Sequence, residues 1–393
     1  MGDCFDVDRA RRETPGAEHV VHFNNAGMAL TPEPVLSAMV SYLEREAVIG
    51  GYEAADEAHA RVEHVYSAMA KLLNCRADEI AIVENATRAW DMAFYAFGFR
   101  PGDRILTSAA EYESNFLAML QVAGKTGARI EVVPNDEAGQ ISVEALASML
   151  DDRVRLISLT HVPTNGGLVN PAAEVGAIAR AAGIPFLLDA CQSAGQIPLD
   201  VERIGCDVLT GTGRKYLRGP RGTGFLYVRR SLIEHLEPPS IDLESAEWTS
   251  RDVYRLRPDA RRFETWETNY AAKIALGVAV DYALDWGLDE IWDRVRRLGE
   301  LLRERLGQLP GVTVRDLGVV RCGIVSFTCD GAPAGDVRAG LRESGVNVSV
   351  SPQRYTRLDM EERGLSEVVR ASVHYYNTER EVDLVCDRVA QLS

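Results

Sequence analysis

Lys215 is the residue of this chain best suited to covalent chemistry with a carbonyl compound. Lysine and arginine number 43 together, and only four of these residues are lysines: Lys71, Lys125, Lys215 and Lys273. Lys215 follows the apolar run Asp207–Thr210 and lies in a glycine-rich turn beside Arg214. A neighbouring cation lowers the pKa of a lysine, and the neutral amine is a nucleophile that forms Schiff bases. The sequence therefore favours an amine nucleophile at Lys215.

Two more side chains with chemical potential follow apolar runs. Asp189 comes directly after Phe186–Leu188, at the buried end of a predicted strand. A buried carboxylate is costly unless it is paired, and a protonated ring nitrogen is one suitable partner. Tyr112 comes after Arg104–Thr107, where its ring can lie flat on a planar ligand. A purely structural tyrosine is the alternative.

A small polar turn at Glu84–Arg88 follows the run Ile80–Val83 and opens an apolar helix. The free backbone N–H groups at such a helix start suit a phosphate, although a plain N-cap by Asn85 or Thr87 explains the same residues. In chain order the strand ends thus carry a phosphate turn, an aromatic ring, an acid and a lysine. That set predicts pyridoxal 5′-phosphate, because the lysine can bind its aldehyde and the acid can keep its ring nitrogen protonated.

Two competing interpretations fit less well. Ala123–Thr126 contains Lys125 and resembles the end of a nucleotide-binding P-loop, but Met119 stands where that motif needs glycine. Asp189 could bind a ribose in a dinucleotide fold, but no Gly-x-Gly-x-x-Gly motif precedes it. The two remaining lysines lie in helical patterns and are predicted to be solvent-exposed: Lys71 and Lys273.

Seven short apolar runs, most separated by helix-length segments, must position these residues. They are Ile80–Val83, Arg104–Thr107, Ile130–Val133, Arg155–Thr160, Phe186–Asp189, Asp207–Thr210 and Gly224–Val228. The alternation predicts an α/β fold with a seven-stranded, mainly parallel sheet, in which ligands bind at the carboxyl ends of the strands. From about residue 270 a long helical region extends to Leu309, and strand-like and helical pieces follow. We expect a large cofactor-binding domain at residues 20–280 and a smaller α+β domain made of residues 1–19 and 281–393.

The composition argues against several classes of protein. A net charge of −15 disfavours binding to nucleic acid or to an anionic membrane surface. No apolar run approaches the roughly 18 residues needed to span a bilayer, and the polar N-terminus is unlike a secretory signal. Seven cysteines without a Cys-x-x-Cys pair indicate a reduced, cytoplasmic protein with neither a disulfide framework nor a metal site.

The stretch LLDACQSAGQIPLDV, followed by CDVLTGTGRKYLRGPRGTGFLYV, resembles the aminotransferase class V family of pyridoxal-phosphate enzymes, which has fold type I. The resemblance runs from about His22 to Thr378 and is strongest to cysteine desulfurases, selenocysteine lyases, isopenicillin N epimerase-like proteins and cysteine-conjugate lyases. It implies that Lys215 is the Schiff-base lysine and the base at the substrate Cα, with assistance from Tyr112. The cofactor-binding residues that it implies are Ala86, Thr87, Tyr112, Thr164, Asp189, Gln192, Thr212, Arg214, Lys215 and Thr268.

The same resemblance implies an amino-acid substrate. Arg370 matches the arginine that binds the substrate α-carboxylate, a task that suits a bidentate fork. Asn25 and Tyr52 are expected beside the substrate. Thr268 falls in a region that reaches the phosphate of a neighbouring subunit, which implies a homodimer with shared active sites.

The reaction is predicted from a departure in this pattern. Desulfurases of the family carry a cysteine on a mobile loop, and the corresponding region, Gly345–Glu367, holds none. We therefore expect a C–S β-lyase that cleaves a cysteine S-conjugate to a thiol, pyruvate and ammonia, rather than a persulfide-forming desulfurase. An aminotransferase or an amino-acid epimerase is the alternative, and a scaffold without catalytic activity is a third hypothesis.

Overall fold

The computed structural model describes residues 5–392. The strands are β1 (Val21–His22), β2 (Ile80–Val83), β3 (Arg104–Ser108), β4 (Arg129–Val133), β5 (Val154–Thr160), β6 (Phe186–Asp189), β7 (Val208–Thr212), β8 (Gly224–Val228), β9 (Ala246–Ser250), β10 (Val253–Leu256), β11 (Val312–Val314), β12 (Ile324–Cys329), β13 (Val346–Asn347), β14 (Ser349–Pro352) and β15 (Glu367–Ser372). The α-helices are α1 (Val7–Arg12), α2 (Glu33–Ile49), α3 (Gly51–Glu57), α4 (His59–Leu73), α5 (Ala86–Phe94), α6 (Glu113–Thr126), α7 (Val143–Ser148), α8 (Ala172–Ala182), α9 (Val201–Ile204), α10 (Arg230–Ile233), α11 (Tyr270–Trp286), α12 (Leu288–Gly307), α13 (Ala334–Glu343), α14 (Arg357–Glu362) and α15 (Glu379–Ala390).

A seven-stranded sheet forms the centre of the molecule, with the strand order β2-β8-β7-β6-β5-β3-β4. Strand β8 is antiparallel to both of its neighbours, and all other pairs are parallel. Because β8 is reversed between β2 and β7, these two strands point the same way. The carboxyl ends of β2, β7, β6, β5 and β3 therefore lie along one edge of the sheet. The α/β fold and its seven-stranded, mainly parallel sheet are confirmed.

The sheet is apolar on both faces, as expected for parallel strands that are covered by helices on either side. Alternate residues of β2 illustrate this arrangement: Ile80 and Ile82 pack into one core, whereas Ala81 and Val83 pack into another. The second core also receives Trp90 and other residues of helices α5 and α6. Burial on both faces fixes the strands, and the polar turns that follow the strand ends are therefore held in defined positions.

A second, four-stranded sheet with the order β11-β12-β15-β14 belongs to the C-terminal part of the chain and is packed by α12, α13 and α15. The short strand β1 pairs with β13 in parallel. The long helix predicted from residue 270 is divided into α11 and α12 at Gly287, whose positive φ of 80° a helix interior does not allow. The division into domains at residue 280 stays a prediction, and residues 1–4 and 393 of the predicted small domain lie outside the described residues.

Within the described range, no helix is long and apolar enough to cross a lipid bilayer.

Candidate active site

The carboxyl-end edge of the large sheet surrounds a cavity that most of the predicted cofactor residues line. Its lining residues are Asn85, Ala86, Thr87, Tyr112, Asn115, Thr160, Val162, Thr164, Asp189, Cys191, Gln192, Thr212, Arg214 and Lys215. They come from the turns after β2, β3, β5, β6 and β7, in agreement with the expectation that ligands bind at strand ends. The topology thus brings together residues that are up to 130 positions apart, from Asn85 to Lys215.

Lys215 lies in a turn that the backbone holds tightly. The N–H of Gly219 donates to the carbonyl of Gly213 at 2.8 Å, and the N–H of Arg218 donates to the carbonyl of Lys215 at 2.9 Å. Burial, together with the charges of Arg214 and Arg370, lowers the pKa of Lys215 to about 8 against the opposing effects of Cys191 and Asp189. The sequence suggested Arg214 as the cause of a low pKa, but loss of solvent is the larger effect. A largely enclosed amine with this pKa can act both as a nucleophile and as a base.

Asp189 is held by a network that reaches a second buried acid. The side-chain amide of Asn115 donates to Asp189 Oδ2 and to Glu111 Oε1, at 2.9 Å in each case. Glu111 also accepts from the hydroxyl of Thr107 at 2.8 Å and from the hydroxyl of Thr160. Burial raises the pKa of Glu111, and the nearby charge of Asp189 raises it further. The network therefore joins two buried carboxyl groups through Asn115 at the bottom of the cavity.

The phosphate end of the cavity is formed by the start of α5. The side chain of Asn85 caps the helix by accepting from the N–H of Arg88 at 2.8 Å, while Ala86 and Thr87 belong to the first turn, whose N–H groups have no partner within the helix. This turn packs directly on β8 at Gly224, where an added Cβ would lie 2.3 Å from the carbonyl carbon of Asn85. Arg214 supplies a cation to the same cavity. The capping role left open from sequence is real for Asn85, and it is compatible with a phosphate at the same helix start.

Arg370, Thr164 and Gln192 form a connected series on another wall. Arg370 Nη1 donates to the hydroxyl of Thr164 at 2.6 Å, and Gln192 Nε2 donates to the same hydroxyl at 3.3 Å. Gln192 Oε1 and Arg370 Nε are buried without a hydrogen-bond partner within the described range. Buried polar atoms are rarely left unpaired in a native protein, so these two atoms indicate groups supplied by a ligand.

Four predicted site residues are not among those that line this cavity: Arg370, which donates a hydrogen bond to the lining residue Thr164, and Asn25, Tyr52 and Thr268. The amide of Asn25 is fully buried and donates to the backbone carbonyl of Ser372 at 2.7 Å, so it holds the chain rather than facing a substrate. Tyr52 is 74% exposed and lines a separate open cleft together with Thr268. Within one chain, Tyr52 and Thr268 therefore have no contact with the cavity, and their predicted roles depend on a second subunit.

Lys273 is also not where the sequence placed it. The helical pattern predicted a solvent-exposed side chain, but α11 is buried on nearly all sides and Lys273 is only 6% exposed. Its ammonium group lies 3.4 Å from Glu264 Oε2 and over the ring of Tyr66. The prediction was wrong because α11 packs against both α2 and α4, which leaves little of its surface for solvent.

Several residues of the site were missed from sequence. Glu111 and Asn115 lie on either side of the predicted Tyr112, which lines the cavity, and their spacing of four around a helix start is a signal that could have linked them. Cys191 lies next to the chosen Asp189 and lines the cavity. Tyr355 carries no local signal, because its proximity to Tyr112 arises only through the second sheet.

The residues present fit pyridoxal 5′-phosphate. Ala86, Thr87, Thr212 and Arg214 offer N–H, hydroxyl and guanidinium donors for a phosphate, Asp189 offers a carboxylate for a ring nitrogen, and Lys215 offers an enclosed amine. The unpaired Gln192 Oε1 borders the same space.

The chain is similar over nearly its whole length to proteins of known family. It is 32% identical over 375 residues to a probable cysteine desulfurase of Synechocystis sp., covering 93% of this chain and 89% of the relative. Its structure matches the apo structure of a cysteine desulfurase from Thermococcus onnurineus NA1 with a TM-score of 0.92 and 28% identity, covering 100% of this chain and 99% of the other. It also shares the fold of C-DES, solved as a mutant with glycine covalently linked to its pyridoxal-phosphate cofactor, with a TM-score of 0.87, 24% identity and coverage of 97% and 98%.

These relatives overturn the predicted reaction. The absence of a loop cysteine was taken to exclude desulfuration and to leave β-elimination, transamination or epimerisation. Relatives that match nearly the whole chain are named cysteine desulfurases or probable cysteine desulfurases, and none of the predicted alternatives has specific support among them. The prediction was wrong because one missing thiol changes where sulfur can be received, whereas the bond that is cleaved depends on the rest of the site.

Residues 21–385 match the aminotransferase class V family. The match includes the cavity residues from Asn85 to Lys215 and the carboxylate-binding candidate Arg370. The resemblance drawn from the LLDACQSAGQ and TGTGRKY stretches is confirmed, and the cofactor is pyridoxal 5′-phosphate. The chain belongs to the aminotransferase class V family of pyridoxal-phosphate enzymes, with fold type I.

Proposed function

We propose that this protein cleaves the Cβ–Sγ bond of L-cysteine, releases L-alanine and passes the sulfur to a thiol. The observation that carries the proposal is the similarity over 93% of the chain to a relative named as a probable cysteine desulfurase. The cavity supports the proposal because it combines an enclosed amine, a buried acid and an arginine of the kinds that this chemistry needs.

Arg370 is proposed to bind the substrate α-carboxylate. Its guanidinium group is buried, is oriented by Thr164 and keeps Nε without a partner in the described part of the chain. A planar guanidinium can bind a carboxylate through two parallel hydrogen bonds, which fixes the orientation of the substrate as well as its position.

Lys215 is proposed to move the protons. When bound, pyridoxal phosphate supplies an electron sink for negative charge that develops at the substrate Cα. The amine of Lys215, with its pKa lowered to about 8, can take the Cα proton and return a proton to carbon near neutral pH. Asp189 holds the ring nitrogen in its charged form, and Asn115 fixes the direction of the Asp189 carboxylate. Tyr112, which lines the cavity, would lie against the cofactor ring.

We propose further that two copies of the chain complete the site. Leu36, Val40 and Leu43 lie one helical turn apart on α2 and are 44%, 41% and 44% exposed. An exposed apolar stripe of this kind on a helix suits burial against a partner. The cleft that contains Tyr52 and Thr268 opens beside this stripe and also includes Leu43.

The test of the proposed reaction uses purified protein loaded with pyridoxal phosphate and L-cysteine as substrate. We expect L-alanine and sulfane sulfur in equal amounts, with Lys215→Ala inactive and Arg370→Lys raising KM more than it lowers kcat. Lys125→Ala, at an exposed position on α6, is the matched lysine control. Formation of pyruvate and ammonia without L-alanine would refute the proposal.

A further inference from the structure

The proposed reaction needs a thiol that receives the sulfur. In the balanced reaction, L-cysteine and a thiol R–SH give L-alanine and R–S–SH. The Cβ–Sγ bond breaks with its electron pair going to carbon, an S–S bond forms, and the proton lost by the acceptor thiol is matched by the proton gained at Cβ. No external oxidant is required. The identity of the acceptor therefore decides what the enzyme produces.

Most cysteines in the described part of the chain lie far from this chemistry. Cys206 precedes β7 at the opposite edge of the sheet from the cavity, and Cys75 lies close to it beyond the end of α4. Cys322 precedes β12, Cys329 is the last residue of β12, and Cys386 lies on α15. None of these five side chains lines the cavity.

Cys191 does line the cavity, but at the wrong end. It lies two residues after Asp189, just beyond β6, and its own N–H donates to Asp189 Oδ1 at 2.8 Å. The acid at this end would hold the cofactor ring nitrogen, whereas the substrate carboxylate is assigned to Arg370, beyond Gln192 and Thr164. Burial raises the pKa of the Cys191 thiol, and the neighbouring carboxylate raises it further, so the nucleophilic thiolate is disfavoured.

The segment Ser349–Arg357 borders the Arg370 side and is anchored along its length. Ser349–Pro352 pairs with β15 as strand β14. The amide of Asn165 donates to the carbonyl of Pro352 at 3.2 Å, and its oxygen accepts from the hydroxyl of Ser351 at 2.5 Å. The N–H of Gln353 donates to the carbonyl of Ser366 at 2.8 Å. These hydrogen bonds hold the segment in place, and it therefore forms a fixed wall on the Arg370 side of the site.

The wall presents a phenol where an acceptor would approach. The ring of Tyr355 lies 6.4 Å from the ring of Tyr112, tilted by 50°. Arg354 lies 3.7 Å from Glu113, which joins the wall to the start of α6. Tyr355 is close enough to influence the charge of Arg370. The substrate side of the cavity thus carries two tyrosines and no thiol among residues 5–392.

We propose that the sulfur acceptor is a low-molecular-weight thiol that enters from solution beside Tyr355 and leaves as a small-molecule persulfide. This inference rests on the proposed function. L-Cysteine itself satisfies the chemistry, so that two molecules of it give L-alanine and cysteine persulfide. The enzyme then turns over without storing sulfur on its own chain.

The experiment follows both products of the loaded enzyme with L-cysteine, with and without added glutathione. We expect the rate of L-alanine formation to rise with glutathione, the cysteine persulfide and glutathione persulfide trapped by alkylation to equal together the L-alanine formed, and the intact protein mass to stay unchanged. A protein mass increased by one sulfur atom, mapped to Cys191 or to Cys4 outside the described residues, would overturn the inference while L-alanine still supports the proposed function. If no L-alanine forms at all, both the proposed function and this inference are refuted.

The second measurement uses a variant that places a thiol on the chain at position 355 and asks whether this thiol receives the sulfur. In Tyr355→Cys we expect the protein to gain one sulfur atom at position 355 and its L-alanine formation to depend less on glutathione. Tyr355→Phe, which keeps the ring and lacks the hydroxyl, is the matched control and should leave sulfur on glutathione. A Tyr355→Cys protein that makes L-alanine and gains no sulfur would contradict an approach of the acceptor beside Tyr355.

Discussion

The lowered pKa of Lys215 makes a quantitative prediction for the cofactor-free protein. The ordinary pKa of this side chain is 10.5, and burial lowers it to about 8. At pH 7 about one amine in ten is then neutral, against about one in 3,000 at the ordinary value, a difference on the order of several hundredfold. Labelling with acetic anhydride over a pH series, read by mass spectrometry of the Lys215 peptide, should give a midpoint near 8. Lys71 and Lys125, both exposed, serve as internal references.

The cause of the shift can be tested in the same assay. Arg214 repels the charged form of Lys215, so Arg214→Gln should raise the midpoint, whereas Arg76→Gln on the surface should not. The sign for stability follows from linkage: the folded protein releases this proton before the unfolded chain does, so the Lys215 contribution to the free energy of unfolding rises with pH between about 8 and 10.5. A labelling midpoint at the ordinary value of 10.5 would refute the conclusion that the amine is enclosed and poised for reaction.

Two further predictions concern the acid network and the second subunit. Asn115→Ala removes the hydrogen bond to the Asp189 carboxylate, and a bond to a charged group is worth about 1.5–3 kcal/mol, so the Kd for pyridoxal phosphate in absorbance titrations should rise by about 10- to 150-fold. Gln121→Ala, on the exposed side of the same helix, is the control. An unchanged Kd in Asn115→Ala would show that Asn115 does not support Asp189. Leu43→Asp places a charge in the exposed stripe of α2 and should convert a dimer to monomers in sedimentation velocity, whereas Leu117→Asp, at a still more exposed position on α6, should not. A wild-type protein that sediments as a monomer would rule out a site shared between subunits.

The sheet could be predicted well from sequence because its strands are buried on both faces. Each of the seven predicted runs overlaps a strand of the sheet, and the run Ile80–Val83 coincides with β2. The polar turns that follow these runs carried the cofactor residues, since the carboxyl ends of parallel strands meet at one edge. Local pattern was sufficient for Lys215 and Asp189 because each stands alone in its turn as a chemically distinctive residue.

What could not be predicted depends on contacts between distant segments. The burial of Lys273 follows from packing of α11 between α2 and α4, and the helical pattern around the residue does not reveal it. The hydrogen bond from the Asn25 side-chain amide to the backbone carbonyl of Ser372 joins residues 347 positions apart. Tyr355 meets Tyr112 only because β14 pairs with β15 and places the following turn over α6. In each case the decisive neighbour comes from another part of the chain.

The distribution of charge in the cavity accounts for the ligands that the site can take. The chain as a whole carries a net charge of −15. Around the cavity and the adjoining Arg370, however, the basic side chains of Arg214, Lys215 and Arg370 outnumber the carboxyl groups of Asp189 and Glu111, and burial raises the pKa of Glu111. A site with excess positive charge and little water attracts a phosphate and a carboxylate much more strongly than the surface does. The same field favours the thiolate form of a small thiol that approaches Arg370, whereas at Cys191 burial and the nearby Asp189 outweigh the charges of Lys215 and Arg214 and raise the pKa of the thiol. Electrostatics and geometry therefore agree in placing the sulfur acceptor on the Tyr355 side of the cavity.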